Sequence, residues 1–535
     1  MVRGRRLDIA AWETIAAALA LAAGFHFLAI RVRAGGLPQG DEGSWLSVAA
    51  ELARGGGFGT RWLEFHFLVP YQLPRPDDFR YPALTSLLAA SFRCFGISVE
   101  AARWTVAAVF LAFASAAWLV CRSAFGRWPG LAALWLTVFS LLQLEWNSAV
   151  YTEGLFGLGT ALLAAWCLRG RREGELAKPA WWAVLGLGTG LLYLIRVNGI
   201  LFVPGLLWLY RSHRKTLSWK LPALALACFF LAASPWLIRS AVHFGNPFHV
   251  AGSAGMLREA GQSHTYSAVE YFSRHDAWFP LQRMLLGLLR FFATLRHYEH
   301  GLEMAPLLLA AAAAFLGREF FGPFPAAGFL LTFLASCYAS YDSWAGVRYM
   351  TGLMPFVYAY GLSLVPGPAR ALAAAVPEMP PRWVPRAKGL VGAAGILALL
   401  LPVVGPHRFY ERRFSGTIAR PSDLPDHLRR LEARVPPGGR YYAGSLCRVN
   451  FLSPGRDCVG LQELYDTTWF SRSMAAFHPS LVILAHEETE DAAILAALMR
   501  MQDAGYLLVP VDSGTLGIYL ALSRAPQDSI RNAGL

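Results

Sequence analysis

Apolar residues fall in long blocks separated by short polar turns. A helix needs about 20 apolar residues to cross a hydrocarbon core of ~30 Å. Blocks near that length recur at about 9–30, 98–121, 129–143, 152–168, 180–195, 199–210, 221–238, 303–316, 322–339, 349–366 and 389–405. They predict about eleven transmembrane helices. The first block follows Met-Val-Arg-Gly-Arg-Arg, as a signal peptide would. No small-residue cleavage site precedes Asp41 and ten spans follow, so it reads as an uncleaved first helix. Two long polar segments interrupt the pattern, 31–97 and 239–302. In the first, Trp45–Arg54 starts an amphipathic helix, and 82–97 is too short and interrupted to span, so it reads as an interfacial helix. The second is rich in His, Tyr, Phe and Trp, which suits a membrane interface. Past 406 the pattern changes. Short strand-like patches (Arg440–Ala443, Leu481–Ala485, Tyr506–Val511, Leu516–Leu522) alternate with amphipathic stretches at 423–434 and 490–504. The expected organisation is a helical polytopic membrane domain over 1–405, with a Pro-rich inside loop, Pro366–Pro385, as a linker before its last span, and a small α/β domain over 406–535. There is no internal repeat.

Composition supports that division. Hydrophobic residues make up 55% of the 535 and charged residues only 16%, against about 25% charged in soluble proteins. This excludes a disordered chain, a coiled coil and an ordinary soluble enzyme. The net charge is +13. From Pro406 onward 14 Arg balance 14 Asp and Glu, so the whole excess lies in 1–405. The basic residues gather in alternate loops, at Arg3–Arg6, Arg122–Arg127, Arg169–Lys178, Arg211–Lys220, Arg318 and Arg370–Lys388. The turns between them carry little beyond Arg196 and Arg348. The positive-inside rule then puts the N-terminus in the cytoplasm and assigns the charge to basic loops rather than to nucleic acid. An odd number of spans puts 406–535 outside. The seven cysteines lack metal-site spacing. Cys447 and Cys458, eleven apart in the outer part, leave a disulfide and two free thiols both open.

Ionisable residues in a membrane protein are costly and usually face a cavity; here they gather at the outer ends of spans. Asp41-Glu42 opens the first outer loop. Such a pair either caps a helix or supplies a general base or cation ligand. Arg80-Tyr81-Pro82 returns the chain to the membrane, with Arg80 an anchor or a phosphate ligand. Tyr151-Thr152-Glu153 enters a span, and Arg196 sits in the turn between two short spans. Pro235-Trp236 precedes Arg239, His243 and Phe244-Gly245-Asn246-Pro247. His297-Tyr298-Glu299-His300 reads as an interfacial polar cluster rather than a metal site. Arg348-Tyr349 enters the tenth span.

That order resembles the C-type glycosyltransferases, multi-spanning enzymes that use polyprenyl-phosphate sugars. The bacterial enzymes akin to protein O-mannosyltransferases and to the lipid A aminoarabinose transferase are the nearest in kind. The resemblance runs over about 41–355, and Asp41-Glu42 and Phe244-Gly245-Asn246-Pro247 carry most of it. It implies sugar transfer at the outer face of a bacterial inner membrane, from a polyprenyl-phosphate donor to a hydroxyl of a lipid, glycan or protein. Asp41 would take or orient the acceptor proton, with Glu42 as a second base or a cation ligand. Arg80, Arg239 and Arg348 would hold the donor phosphate. Tyr81, Glu153, Arg196, His243, His297, Glu299 and His300 are further cavity candidates. The aminoarabinose-type pattern has Lys-Pro-Pro where this chain has Tyr81-Pro82-Ala83, so Arg80 would replace that lysine; Trp45 stands for a usual tyrosine. Use of a divalent cation differs among these families and stays open. A polytopic transporter and a non-catalytic scaffold with an outer recognition domain are the competing readings. Transporters place charge near the midplane of repeated halves, a pattern this chain lacks.

Overall fold

The computed structural model describes residues 4–34, 37–38, 41–63, 71–249, 273–276, 278–299, 304–317, 319–341, 344–365, 424–461, 464, 467–485, 491–513 and 517–524. The first ten helices are α1 (Gly4–Ala34), α2 (Glu42–Arg54), α3 (Pro82–Phe95), α4 (Val99–Phe125), α5 (Arg127–Phe139), α6 (Leu141–Ser148), α7 (Glu153–Arg172), α8 (Pro179–Ile195), α9 (Val203–Ser212) and α10 (Lys220–Phe244). Helices Phe279–Glu299, Met304–Phe315, Pro323–Ser340 and Met354–Leu362 follow. Among the described residues, Ala11–Arg33, α4, α10 and Pro323–Ser340 are long and apolar enough to cross a membrane. α6 and α7 would cross only as a pair bent by 109°.

Local chemistry breaks several apolar blocks. Ser140 ends α5 and caps α6, its Oγ accepting from Gln143 N at 3.0 Å, so the block 129–143 becomes two helices. The block 199–210 begins as a 3-10 turn, Val197–Phe202, before α9. Pro235 lies inside α10 without an N–H to donate, and Ser234 Oγ donates to the Leu231 carbonyl instead, at 2.8 Å. The expected span 389–405 and the linker Pro366–Pro385 lie outside the described residues.

The chain forms two compact units. One comprises Met1–Arg33, Val106–Pro235 and Ala277–Gly416. It is all-helical among the described residues. Its interior includes interlocking rings such as Phe125, Phe320, Phe321 and Phe356. Glu13 on α1 is buried against Arg122 Nε of α4 at 2.7 Å, a paired charge where an unpaired one would be costly.

The other unit comprises Ala34–Thr105, Trp236–Asp276 and Thr417–Leu535. It carries a two-stranded antiparallel ladder of β1 (Gly59–Thr60) and β3 (Arg75–Pro76), and a six-stranded sheet in the order β2-β5-β4-β6-β8-β7, with β2 (Trp62–Leu63), β4 (Arg440–Ala443), β5 (Asp457–Gly460), β6 (Leu481–Ala485), β7 (Tyr506–Ser513) and β8 (Gly517–Arg524). β2, β5, β4 and β6 are parallel; β8 is antiparallel to β6 and β7. The four expected patches became β4, β6, β7 and β8. The expected amphipathic stretches became helices Leu424–Arg434 and Ala492–Asp503. β1, β2, β3 and β5 were not expected: the first three are two residues each and come from the first loop, and β5 begins and ends on Asp and Gly, residue types depleted in strands. Cys447 and Cys458 are joined in a disulfide with Cα atoms 5.7 Å apart.

Residues of the first loop also pack on this sheet. Leu63 and Leu73 are buried in one of its cores, and Tyr71 and Phe79 pack against it. α2 lies on the 3-10 helix Ser445–Leu452. A Cβ on Gly43 would come within 2.8 Å of the Arg448 backbone, so only glycine lets the two approach.

His427 in helix Leu424–Arg434 is buried, with its Nδ1 on Tyr519 Oη at 2.6 Å. Burial pushes its pKa down to about 4. The unfolded chain therefore binds a proton between about pH 6.5 and 4 that the folded chain does not. Stability contributed by neutral His427 is complete above that window and falls as the pH drops through it, by about 3 kcal/mol at most. Hydrogen exchange of helix Leu424–Arg434, corrected for intrinsic rates, is expected to show faster opening at pH 5 than at pH 7.5. His427→Asn should flatten that difference.

Candidate active site

The first cluster belongs to the unit that carries the sheet. Asp41 stands at the N-cap of α2, with φ −68° and ψ −10°, and makes no side-chain capping hydrogen bond. Its carboxylate is 26% exposed and lies 3.8 Å from Arg80 Nη2. Arg80 is buried. Its guanidinium sits 4.1 Å from the ring centre of Phe79 and 5.4 Å from that of Trp45, so packing on the sheet core holds the cation in place through Phe79.

Glu42, one residue on, is turned about 100° around the helix axis. Both its oxygens accept from Arg103, Oε1 from Nε at 2.8 Å and Oε2 from Nη2 at 2.9 Å. The pair is fully buried. Two adjacent carboxylates thus occupy different environments, one partly exposed and one locked.

Behind Arg80 lies a set of charges that sequence reading missed. Arg75 Nη2 donates to Asp78 Oδ1 at 2.6 Å, and His249 Nε2 lies 2.7 Å from Asp78 Oδ2. Asp77 Oδ2 accepts from the Arg80 backbone N–H at 2.7 Å. Burial pushes the Asp77 carboxyl up, against the pull of Arg75. The sequence signal was Asp77-Asp78, one residue short of Arg80.

Arg239 on α10 donates through Nη2 to the Phe58 carbonyl at 2.7 Å. Its guanidinium is 4.7 Å from the Trp236 ring and 5.0 Å from Phe58. Its Nη1 is buried and has no hydrogen-bond partner among the described residues. Trp236 also meets Tyr81, at 5.9 Å between ring centres. The Phe244-Gly245-Asn246-Pro247 segment ends α10. Gly245, at φ 74°, bonds back to the Ala241 carbonyl, and Asn246 Oδ1 accepts from Phe248 N at 2.9 Å. This turn brings His249 back to stack on Phe244 at 4.7 Å and to reach Asp78. His243 is exposed on α10.

The second cluster belongs to the all-helical unit and forms where α7 starts. Glu153 Oε1 accepts from Arg196 Nη1 at 3.1 Å and lies 3.6 Å from Arg348 Nε. Arg196 stacks 4.3 Å over Tyr349, and Arg348 lies 5.3 Å from the Trp146 ring. Gln143 Nε2 donates to the Thr351 carbonyl, and Asn147 Nδ2 to the Gln143 carbonyl.

Asp41, Arg80, Tyr81 and Arg239 are therefore brought together in one unit, and Glu153, Arg196 and Arg348 in the other. His297 and Glu299 fall on helix Phe279–Glu299, and His300 lies outside the described residues. Among the described residues no three His, Cys, Asp or Glu side chains converge as metal ligands.

Residues 80–238 match the family described as dolichyl-phosphate-mannose-protein mannosyltransferase. No curated protein sequence matches the chain. Solved structures share its fold, three of them as follows. ArnT from Cupriavidus metallidurans, bound to undecaprenyl phosphate, is 14% identical with a TM-score of 0.57, covering 97% of this chain and 99% of that one. The archaeal oligosaccharyltransferase AglB from Archaeoglobus fulgidus, in complex with an inhibitory peptide and a dolichol-phosphate, is 12% identical with a TM-score of 0.58, covering 97% of this chain and 74% of that one. The arabinofuranosyltransferase AftD from Mycobacteria is 15% identical with a TM-score of 0.51, covering 97% of this chain and 40% of that one. The fold is that of the polytopic C-type glycosyltransferases, and the resemblance read from Asp41-Glu42 through Arg348 stands at the level of fold.

Proposed function

We propose that the protein is a membrane glycosyltransferase that moves a sugar from a polyprenyl-phosphate donor to an acceptor hydroxyl at the outer face of a bacterial inner membrane. The observation that carries this is the partly exposed Asp41 carboxylate held 3.8 Å from the buried Arg80. A base that takes a proton needs access to its substrate, and a cation that stabilises a leaving phosphate needs a fixed position. Asp41 takes the proton of the acceptor hydroxyl. The acceptor oxygen bonds to the sugar's anomeric carbon while the bond from that carbon to the phosphate oxygen breaks. Polyprenyl phosphate leaves as an anion beside Arg80 and Arg239. Arg239 suits the role because its Nη1 is buried without a partner among the described residues and its guanidinium is permanently charged. A stabilised phosphate leaving group needs no general acid.

Arg348, expected on the phosphate from sequence, is engaged with Glu153, so the phosphate role in this proposal rests on Arg80 and Arg239. A polyprenyl-phosphate donor is supported by ArnT and AglB, which carry undecaprenyl phosphate and dolichol-phosphate in their solved structures. The sheet-bearing unit faces the periplasm and the N-terminus the cytoplasm, following the charge bias of the loops.

The test is transfer from a panel of labelled undecaprenyl-phosphate sugars in right-side-out and inverted vesicles. Transfer is expected from one donor, in right-side-out vesicles without permeabilisation. Arg239→Ala is expected to lower it by about 10²-fold, as removal of one charge-stabilising donor does. Donor binding without any turnover across a panel of lipid, glycan and peptide acceptors would overturn the proposal, as would transfer only in inverted vesicles.

A further inference from the structure

We propose that His249 is a positioning residue that sets the spacing of Arg80 and Arg239, the two cations assigned above to the donor phosphate. One tie between α10 and the segment carrying Arg80 is the Phe58 carbonyl. It accepts from the Asp77 backbone N–H at 3.2 Å and from Arg239 Nη2 at 2.7 Å. Asp77 in turn accepts from the Arg80 backbone N–H at 2.7 Å. A second tie lies past the end of α10. There His249 Nε2 meets Asp78 Oδ2 at 2.7 Å, and its ring stacks on Phe244 with centres 4.7 Å and planes 17° apart. The path therefore closes, from Arg239 through Phe58 and the Asp77-Asp78 pair to His249, and back through Phe244 along α10.

A single hydrogen bond leaves a helix end free to turn about it. A second tie beyond the helix end removes that freedom, and its chemistry makes it firm. A carboxylate only accepts, so His249 Nε2 carries the hydrogen. Asp78 is 1% exposed, and its other oxygen accepts from Arg75 Nη2 at 2.6 Å. A buried acceptor that loses its donor bears the full cost of its lost hydration, so Asp78 holds the imidazole in place. The turn serves the same end. Gly245, at φ 74°, closes α10, and the His249 N–H donates to the Asn246 carbonyl at 3.1 Å. The Phe244-Gly245-Asn246-Pro247 segment thus has a physical product, the placement of one ring. With Nε2 spent on Asp78 and one face against Phe244, His249 acts through the two arginines and not on the phosphate.

The inference deepens the proposed reaction and rests on the phosphate role of Arg80 and Arg239. Two cations already at the right spacing grip a phosphate without the cost of ordering them on binding. The experiment is equilibrium binding of undecaprenyl phosphate to the full-length protein in nanodiscs. It compares wild type, His249→Phe, His249→Gln, Arg239→Ala and the double variant Arg239→Ala, His249→Phe. His249→Phe keeps a ring on Phe244 and removes the donor. It is expected to weaken binding about tenfold, the scale of one hydrogen bond to a buried charged group. His249→Gln presents an amide N–H at similar reach and should bind as wild type does. Alignment needs two cations, so His249→Phe should cost nothing further once Arg239 is gone, whereas independent losses would multiply.

Equal binding by wild type and His249→Phe, beside a loss in Arg239→Ala, would overturn the inference and leave the phosphate site standing. A loss in His249→Gln as large as that in His249→Phe would also overturn it, making the imidazole itself a phosphate contact. Losses that multiply in the double variant would overturn it as a general structural effect. Failure of the underlying phosphate reading looks different. Arg239→Ala would then bind undecaprenyl phosphate as wild type does, or wild type would not bind it at all, and the alignment would fall with the site.

Discussion

Asp41→Asn is expected to lower sugar transfer by about 10²- to 10⁴-fold, the range supplied by a positioned general base. The substitution keeps the size of the side chain but removes its negative charge, and with it both the ability to accept the proton and the ion pair to Arg80. α2 should form as before, because Asp41 makes no side-chain capping bond for the helix to lose. The Arg80 cation stays buried between Trp45 and Phe79, so donor binding should change little and the loss should fall on kcat rather than KM. The measurement is single-turnover transfer beside equilibrium binding of the undecaprenyl-phosphate donor. A variant that transfers at near wild-type rate would remove Asp41 from the chemistry.

Glu42→Ala, one residue away, is expected to fail by a different route. Glu42 and Arg103 are both fully buried and bonded through two contacts of 2.8 and 2.9 Å. Removing one partner of a buried pair leaves an uncompensated charge and costs about 3–5 kcal/mol. That is a large share of the ~5–15 kcal/mol by which a protein is typically stable. Glu42→Ala and Arg103→Ala should therefore each reduce yield and thermal stability in detergent. The double variant Glu42→Leu, Arg103→Met should recover much of the loss, because it removes both charges and refills the space. Adjacent carboxylates would then separate cleanly, with Asp41→Asn inactive but stable and Glu42→Ala unstable. Loss of turnover in Glu42→Ala at wild-type stability would instead return Glu42 to the chemical role that its place beside Asp41 suggested.

The C-type glycosyltransferase fold also makes sense of residues that looked unrelated along the chain. Phe244-Gly245-Asn246-Pro247 ends a helix and turns His249 back onto Asp78. The first loop lends β2 to a sheet whose other strands lie near the C-terminus. Phe79 roots Arg80 in that sheet's core.

What the sequence determined by itself was whatever has a local, periodic signal. Long apolar blocks announced α1, α4, α10 and helix Pro323–Ser340, because a helix in a bilayer satisfies its own backbone and needs only apolar side chains. The alternating patches announced β4, β6, β7 and β8, and amphipathic stretches the helices Leu424–Arg434 and Ala492–Asp503. Asp41, Arg80, Glu153, Arg196, Arg239 and Arg348 were legible because a charge beside an apolar block is expensive. Tertiary structure alone decided which charges meet. Nothing local to Glu42 pointed to Arg103, 61 residues on, and nothing in Asp78 pointed to His249, 171 residues on. β2 is two residues long, too short for a period of two to show, and β5, Asp457–Gly460, begins and ends on residue types depleted in strands; they exist because β5 completes the hydrogen bonds of β4 on one side and of β2 on the other. A pairing of distant groups is a property of the folded chain, set by how helices and sheet pack, and it leaves no trace in the spacing of either partner.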